Sequence, residues 1–280
     1  MTQITAHEAD TGAYDCLAPY YDRFTAGYAH DRWIGALEQH AFELGLRGRS
    51  ALDLACGTGL STAPLIARGY SVLACDISPE MVRIARDKFP EHADSFFVAD
   101  MRALPRLGEF DLVVCLDDSI NYLLLDAELE ATFGCVADLL APGGVFVFDV
   151  NSLETYRRGF ASSIVRESEG LFFSWRGEAG QTVGPCETAA ATIEVFAERE
   201  DGLWERRSSR HVQRHHSREA ICAALAATGL ECRSLLGQRQ GARLEAVPSE
   251  ERHAKLVYFV RPVAARRKEI RFDESEGTAR

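Results

Sequence analysis

Three carboxylates punctuate the first hundred residues, each tied to a short apolar run: Asp53 in ALDLA (51–55), Asp76 ending SVLACD (71–76) and Asp100 ending FFVAD (96–100). Asp53 opens the segment Asp53-Leu54-Ala55-Cys56-Gly57-Thr58-Gly59, which leaves a strand and enters a helix. Glycines at such a turn let the backbone fold tightly and approach a ligand. A dinucleotide loop wants Gly-x-Gly-x-x-Gly, but Thr62 stands at the third glycine position, which argues against a pyrophosphate packed on the helix start. No Gly-Lys-Ser/Thr follows, so a nucleotide triphosphate loop is absent. A carboxylate at the end of the second strand, Asp76, can accept both hydroxyls of a ribose. Asp100 beside Met101 suits an adenine amino group and the flat face of its ring. Any one of these acids alone reads as an ordinary loop carboxylate. Together, at successive strand ends on one sheet edge, they point to a nucleoside pocket.

The elements that must hold them alternate. After the strand at 51–55 comes a helix over Ser61–Arg68 closed by Gly69, then the strand 71–76. Ser78-Pro79-Glu80 starts the next helix, with Ser as cap, Pro at the first helical position and an acid at the positive end of the dipole. Strands follow at 96–100 and 111–116, a helix over 127–140 ended by Pro142-Gly143-Gly144, and a fifth strand, VFVFDV, at 145–150. Apolar strands alternating with helices imply a parallel sheet covered on both faces. Period-two stretches then run through 162–214, with a hairpin signal at Asp201-Gly202. Ser217 caps a helix stopped by Gly229, and strands CRSLL (232–236) and LVYFV (256–260) return to the core. Before the first strand, Leu17, Tyr20, Tyr21, Phe24, Trp33, Leu37, Ala41 and Leu44 recur at helical spacing, giving two helices broken near Gly27.

The segments ALDLACGTGLST, VLACDISPEMVRIAR, FFVADMRALP, FDLVVCLDDSINYL and LLAPGGVFVFDVNS resemble the successive signatures of class I S-adenosylmethionine (SAM) dependent methyltransferases. The start, Tyr14-Asp15-Cys16-Leu17-Ala18-Pro19-Tyr20-Tyr21-Asp22 with Trp33 after it, is similar to small-molecule enzymes of that class, aminosugar N-methyltransferases among them. The resemblance implies an α/β fold: a Rossmann-like, seven-stranded, mostly parallel sheet. It implies one methyltransferase domain over 1–262, an N-terminal helical lid at 13–47, an antiparallel insert at about 155–215 and a disordered tail at 263–280. It also implies SAM as cofactor and S-adenosylhomocysteine as product. Asp53, Ala55, Gly57 and Gly59 would line its methionine end; Asp76, Ile77 and Met81 the ribose; Asp100 and Met101 the adenine. Tyr14, Tyr21, Trp33 and the backbone at Leu116 would complete the cofactor site, with Tyr21 near the sulfonium.

The acceptor belongs over the carboxyl end of the sheet. Tyr20, Asp117, Ser119, Asn121, Tyr122, Asn151, Phe173, Trp175 and Arg214 are the expected contacts, and Tyr21, Asp118 and His211 the expected catalytic groups. Asp117 and Asp118 suit a cationic amine, and a neutral amine needs no strong base to attack. A hydroxyl would, and His211 or an aspartate would supply it. The expected reaction is N-methylation of a metabolite, with O- or C-methylation, or a SAM-binding module without catalysis, as alternatives. No metal is expected: His211, His215 and His216 lack a carboxylate at ligand spacing.

The bulk properties agree. The net charge of −11 over 280 residues repels polyanions, and the Asp/Asn-Pro-Pro-Tyr motif of amino-methylating DNA enzymes is replaced by DDSINY, so no nucleic acid is expected. No apolar run approaches the roughly 20 residues of a membrane span. The start is polar and acidic, unlike a secretion signal. The eight cysteines form no Cys-x-x-Cys pair, as expected of reduced thiols in a cytoplasmic protein. A homo-oligomer formed through the insert is the expected assembly, and a small-molecule acceptor the expected partner.

Overall fold

The computed structural model describes residues 13–178, 183–239 and 242–263. The expectation for the tail beyond 263 lies outside them. The strands are β1 (Ser50–Leu54), β2 (Ser71–Asp76), β3 (Phe96–Val98), β4 (Phe110–Cys115), β5 (Leu140–Asn151), β6 (Ser163–Ser168), β7 (Leu171–Gly177), β8 (Thr188–Glu198), β9 (Trp204–Arg214), β10 (Leu230–Arg239), β11 (Arg243–Glu245) and β12 (Lys255–Pro262). The main sheet has the order β11-β10-β12-β5-β4-β1-β2-β3. The five strands β5, β4, β1, β2 and β3 are parallel, while β12 runs antiparallel to both β5 and β10. The expected seven strands are all present, and the three-residue β11 widens the sheet to eight.

Alternation along the strands decides which helix each face receives. Phe146, Phe148, Val150 and Tyr258 pack with Phe133, Val136, Ile221 and Leu225, from the helices Asp126–Leu139 and Arg218–Ala227. The residues between them, Val145, Val147, Val257 and Phe259, pack instead on Trp33, Ile34, Leu37 and Ala41 of the helix His30–Glu43. This is the period-two pattern of a sheet buried on both faces. Capping follows the sequence: Ser78 Oγ accepts the N–H of Met81 at 3.1 Å, and Ser217 Oγ that of Ala220 at 3.2 Å.

A second sheet, β6-β7-β8-β9, is antiparallel; Asp201-Gly202 lies in the turn between β8 and β9, and the two-residue turn Glu169-Gly170 joins β6 to β7. Its inner residues Leu171, Phe173, Ile193, Val195 and Ala197 close on Leu17, with Tyr20, Tyr21 and Phe24 packed alongside. One helix, Leu153–Gly159, was not legible. Seven residues make fewer than two turns, too few for a periodicity to show. No helix among the described residues is long and apolar enough to cross a membrane.

Candidate active site

The carboxyl ends of the parallel strands open into a cleft of about 980 Å³. Ala55, Gly57, Asp76, Ile77, Met81, Asp100, Met101 and Leu116 line it, and Tyr14 and Tyr21 of the N-terminal segment cover it. Asp76 ties the floor together. Its Oδ2 accepts the N–H of Gly57 and its Oδ1 that of Ser78, both at 2.9 Å. Each oxygen keeps a second acceptor position, as two vicinal hydroxyls require. Burial pushes the Asp76 pKa up, and the backbone N–H bonds oppose the shift. The loop itself is left-handed at Ala55 (φ 56°) and at Gly57 (φ 54°), and a Cβ at Gly57 would lie 3.7 Å from the Tyr21 ring. Apolar Ile77, Met81 and Met101 around a buried acid form a donor set that fits a nucleoside.

Three residues expected on the cofactor stand elsewhere. Trp33 is buried in the core between the helix 30–43 and the sheet, because it shares the face of Leu37 and Ala41. Gly59 (φ 84°) faces away from the cleft; a Cβ there would come within 2.8 Å of Phe89. Asp53 lies beneath the loop, its Oδ2 accepting from Ser61 Oγ at 2.7 Å and Thr62 Oγ1 at 2.6 Å. Ser61 lines the cleft, so Asp53 positions the loop rather than the wall. Burial lifts its pKa to about 6, against the two hydroxyl bonds.

The N-terminal segment is pinned to this loop and to the turn after β2 by two acids that the sequence did not single out. Asp22 accepts from Thr58 Oγ1 and pairs with Lys88, each at 2.5 Å. Asp15 accepts from Ser78 Oγ and from the N–H of Glu80, at the start of the helix Pro79–Lys88.

A second cavity of about 1150 Å³ shares Tyr14, Tyr21, Asp117 and Tyr122 with the first. Asp118, Asn151, Phe173 and Trp175 line it, and Ser119 lines the first. Four acceptor-side expectations are corrected. Tyr20 packs against the antiparallel sheet with Arg207 over its ring. Asn121 is fully buried, donating to the Arg214 carbonyl at 2.9 Å and accepting from the N–H of Asn151 at 2.8 Å. Arg214 pairs with Asp126 at 2.7 Å and donates to the Leu124 carbonyl. His211 lines neither cavity. It sits behind Tyr122, whose hydroxyl lies 3.0 Å from its Nδ1, with Ser209 Oγ at 3.0 Å from its Nε2. Burial lowers its pKa to about 4, so the ring is neutral at pH 7. Tyr122 thus stands between His211 and both cavities.

The centre of the second cavity was not foreseen. Lys255 Nζ lies 2.8 Å from Asp118, 2.9 Å from Asp149 and 3.7 Å from Asp117. Asp149 is fully buried, and its two oxygens accept the N–H groups of Asp117 (2.9 Å) and Asp118 (2.7 Å). Both of those residues have φ 56°. Left-handed backbone costs a non-glycine residue about 1–2 kcal/mol, so two in succession mark a site the surroundings hold strained. His30 Nε2 lies 2.9 Å from Asp117. For Asp117, burial raises the pKa, but Lys255 and His30 outweigh it and hold the carboxyl below its usual range. For Lys255, burial is outweighed by the three carboxylates and the ammonium is kept. The available signals were an acid inside the apolar run VFVFDV and a lysine heading LVYFV. Among the described residues, no group of three or more His, Cys, Asp or Glu side chains is placed to hold a metal ion.

The methyltransferase domain family matches residues 51–144. YqeM of Bacillus subtilis, assigned by name to the methyltransferases, is 34% identical over 170 residues, covering 60% of this chain and 67% of its own. Other relatives carry the names of both N- and O-methyltransferases. A SAM-dependent methyltransferase from Clostridium acetobutylicum superposes with a TM-score of 0.74 at 25% identity, over 89% of this chain and 98% of that one. The sugar N-methyltransferase KedS8 from Streptoalloteichus superposes with a TM-score of 0.68 at 27% identity, over 85% and 91%. With the acid-lined nucleoside cleft at the sheet edge, these likenesses show that the chain belongs to the class I SAM-dependent methyltransferases that act on small molecules.

Proposed function

We propose that the chain methylates an amine of a small metabolite. Asp76 would hold the ribose, Asp100 and Met101 the adenine, Ile77 and Met81 the apolar edge, and the loop from Ala55 to Gly57 the methionine end. Bound SAM would supply an electrophilic methyl group on a sulfonium. Tyr21 and the Leu116 backbone would border that point, while Asp117 and Tyr122, shared by the two cavities, flank the path of the nucleophile. The protein's part is alignment and exclusion of water.

The observation that carries the amine reading is the acidic pair Asp117 and Asp118 in the wall of the second cavity. Asp117 and Asp118 stand in that wall beside Lys255 and Arg166, and their carboxylates can accept hydrogen bonds from the N–H groups of an amine. A hydroxyl acceptor wants a general base; of those expected, His211 is walled off behind Tyr122 with a depressed pKa, and the Asp117 carboxyl is held below its usual range, which makes it a weak base. The test is label transfer from methyl-labelled SAM to a panel of amines and their matched alcohols. Label on the amines alone is expected; label on the alcohols alone would move the enzyme to O-methylation.

We also read residues 13–47 as a lid. Its pins, Asp15 and Asp22, land on the cofactor loop and on the helix behind it, so cofactor and closure are coupled. Hydrogen exchange in residues 14–33 should slow when SAM binds. Tyr21→Ala should lower kcat by about tenfold or more while SAM affinity changes less, as for a contact made in the closed state. Equal protection with and without SAM would make the segment a fixed flank.

A further inference from the structure

A third recess, of about 1070 Å³, opens beside the second cavity, and the two share Thr155, Gly159 and Ala254. Its wall carries Arg158, Arg239, Arg243 and Arg252, against one acid, Glu154. These arginines come from separate places: the helix 153–159, the end of β10, the edge strand β11 and the segment leading into β12. Arg158 is engaged by Glu154 at 3.0 Å, and Arg239 by Glu245 at 2.9 Å. Arg243 and Arg252 are exposed and have no ion pair among the described residues. In a chain of net charge −11, a convergence of four guanidinium groups runs against the overall field.

We propose that this groove binds a phosphate or diphosphate group of the acceptor while the acceptor's amine reaches into the second cavity. The inference rests on the second cavity being the acceptor site. Guanidinium is a planar fork that meets phosphate oxygens in pairs. A lone carboxylate would use one fork; the two uncommitted arginines, with two more beside them, match a group that offers several oxygens at once. The shared wall of Thr155, Gly159 and Ala254 makes the groove and the cavity one path, with Asp117 and Asp118 in its inner part and the arginines at its mouth. An acceptor with its amine inward and its phosphate outward meets carboxylate acceptors at one end and guanidinium donors at the other, and has one orientation.

The experiment compares the wild type with the Arg243→Gln/Arg252→Gln double variant by calorimetry. Unchanged SAM affinity and melting temperature verify its fold. Inorganic pyrophosphate should bind the wild type and bind the variant at least about tenfold more weakly, the loss expected for charge-assisted hydrogen bonds. Equal binding to both proteins, or none to the wild type, overturns the proposal. Glucosamine 6-phosphate should bind the wild type more tightly than glucosamine, be displaced by pyrophosphate, and lose its advantage in the variant. Pyrophosphate that binds without displacing it would mark a separate anion site and overturn the assignment to the acceptor. If the arginines discriminate as stated but no amine of the panel accepts label, the groove stands and the amine reading falls.

Discussion

Asp76→Ala should weaken SAM binding by about 1.5–3 kcal/mol, the range for a hydrogen bond to a charged group, read by calorimetry on the folded variant. Asp76 does more than offer oxygens to a ribose. It accepts the Gly57 and Ser78 N–H groups, which fixes the loop after β1 against the turn after β2. Asp76→Asn tests the same point with almost no change in volume. An amide offers one acceptor oxygen, so its NH₂ must face either the Gly57 or the Ser78 N–H. The asparagine variant should therefore bind SAM nearly as poorly as the alanine variant. Tight SAM binding by Asp76→Asn would mean that the carboxylate's role is only to fill space. Unchanged affinity in both variants would remove Asp76 from the cofactor site.

The cofactor side was legible because it is local. Each of Ala55, Gly57, Asp76, Ile77, Asp100 and Met101 follows directly from the end of a strand, and parallel topology brings those ends to one edge. Where the reading failed, the residue type was right and its direction was not. Gly59 sits two residues past Gly57, yet its bare Cα faces Phe89 rather than the cleft. Trp33 obeys the helical period, but that period assigns it to the core stripe with Leu37 and Ala41. The acceptor side is non-local. Lys255 meets Asp149, 106 positions earlier, only because β12 is inserted beside β5, where Lys255 pairs with Asn151. Strand order of that kind is a tertiary result. His211 shows the same limit from the other side: period two put it on the inner face of β9, but nothing in the sequence showed that Tyr122 would stand in front of it.

Lys255→Met should cost about 3–5 kcal/mol of stability at pH 8, because it strands buried carboxylates without their cation. The methionine keeps the length of the stem, so the loss reports charge rather than a cavity. The pH dependence gives the sign. Burial already raises the Asp149 pKa, with Lys255 opposing; without the ammonium the rise is unopposed. An acid whose folded pKa lies above its unfolded value penalises the fold above that folded value. The penalty fades as pH falls towards the ordinary carboxylate range near 4. The gap between variant and wild type in urea unfolding should therefore narrow from pH 8 to pH 5. The wild type gains less relief: Lys255 is held charged and opposes the rise at Asp149, and Asp117 contributes stability that is lost only below the usual carboxylate range. Since 3–5 kcal/mol is a large share of the ~5–15 kcal/mol that holds a domain folded, a second variant guards the test. Lys255→Met/Asp149→Asn removes cation and acid together and should recover part of the loss, though only part, because the amide oxygen can accept one of the two N–H groups that Asp149 holds and its NH₂ must face the other. A gap that widens towards pH 5, or a double variant worse than the sum of its parts, would show that the ammonium does not neutralise Asp149.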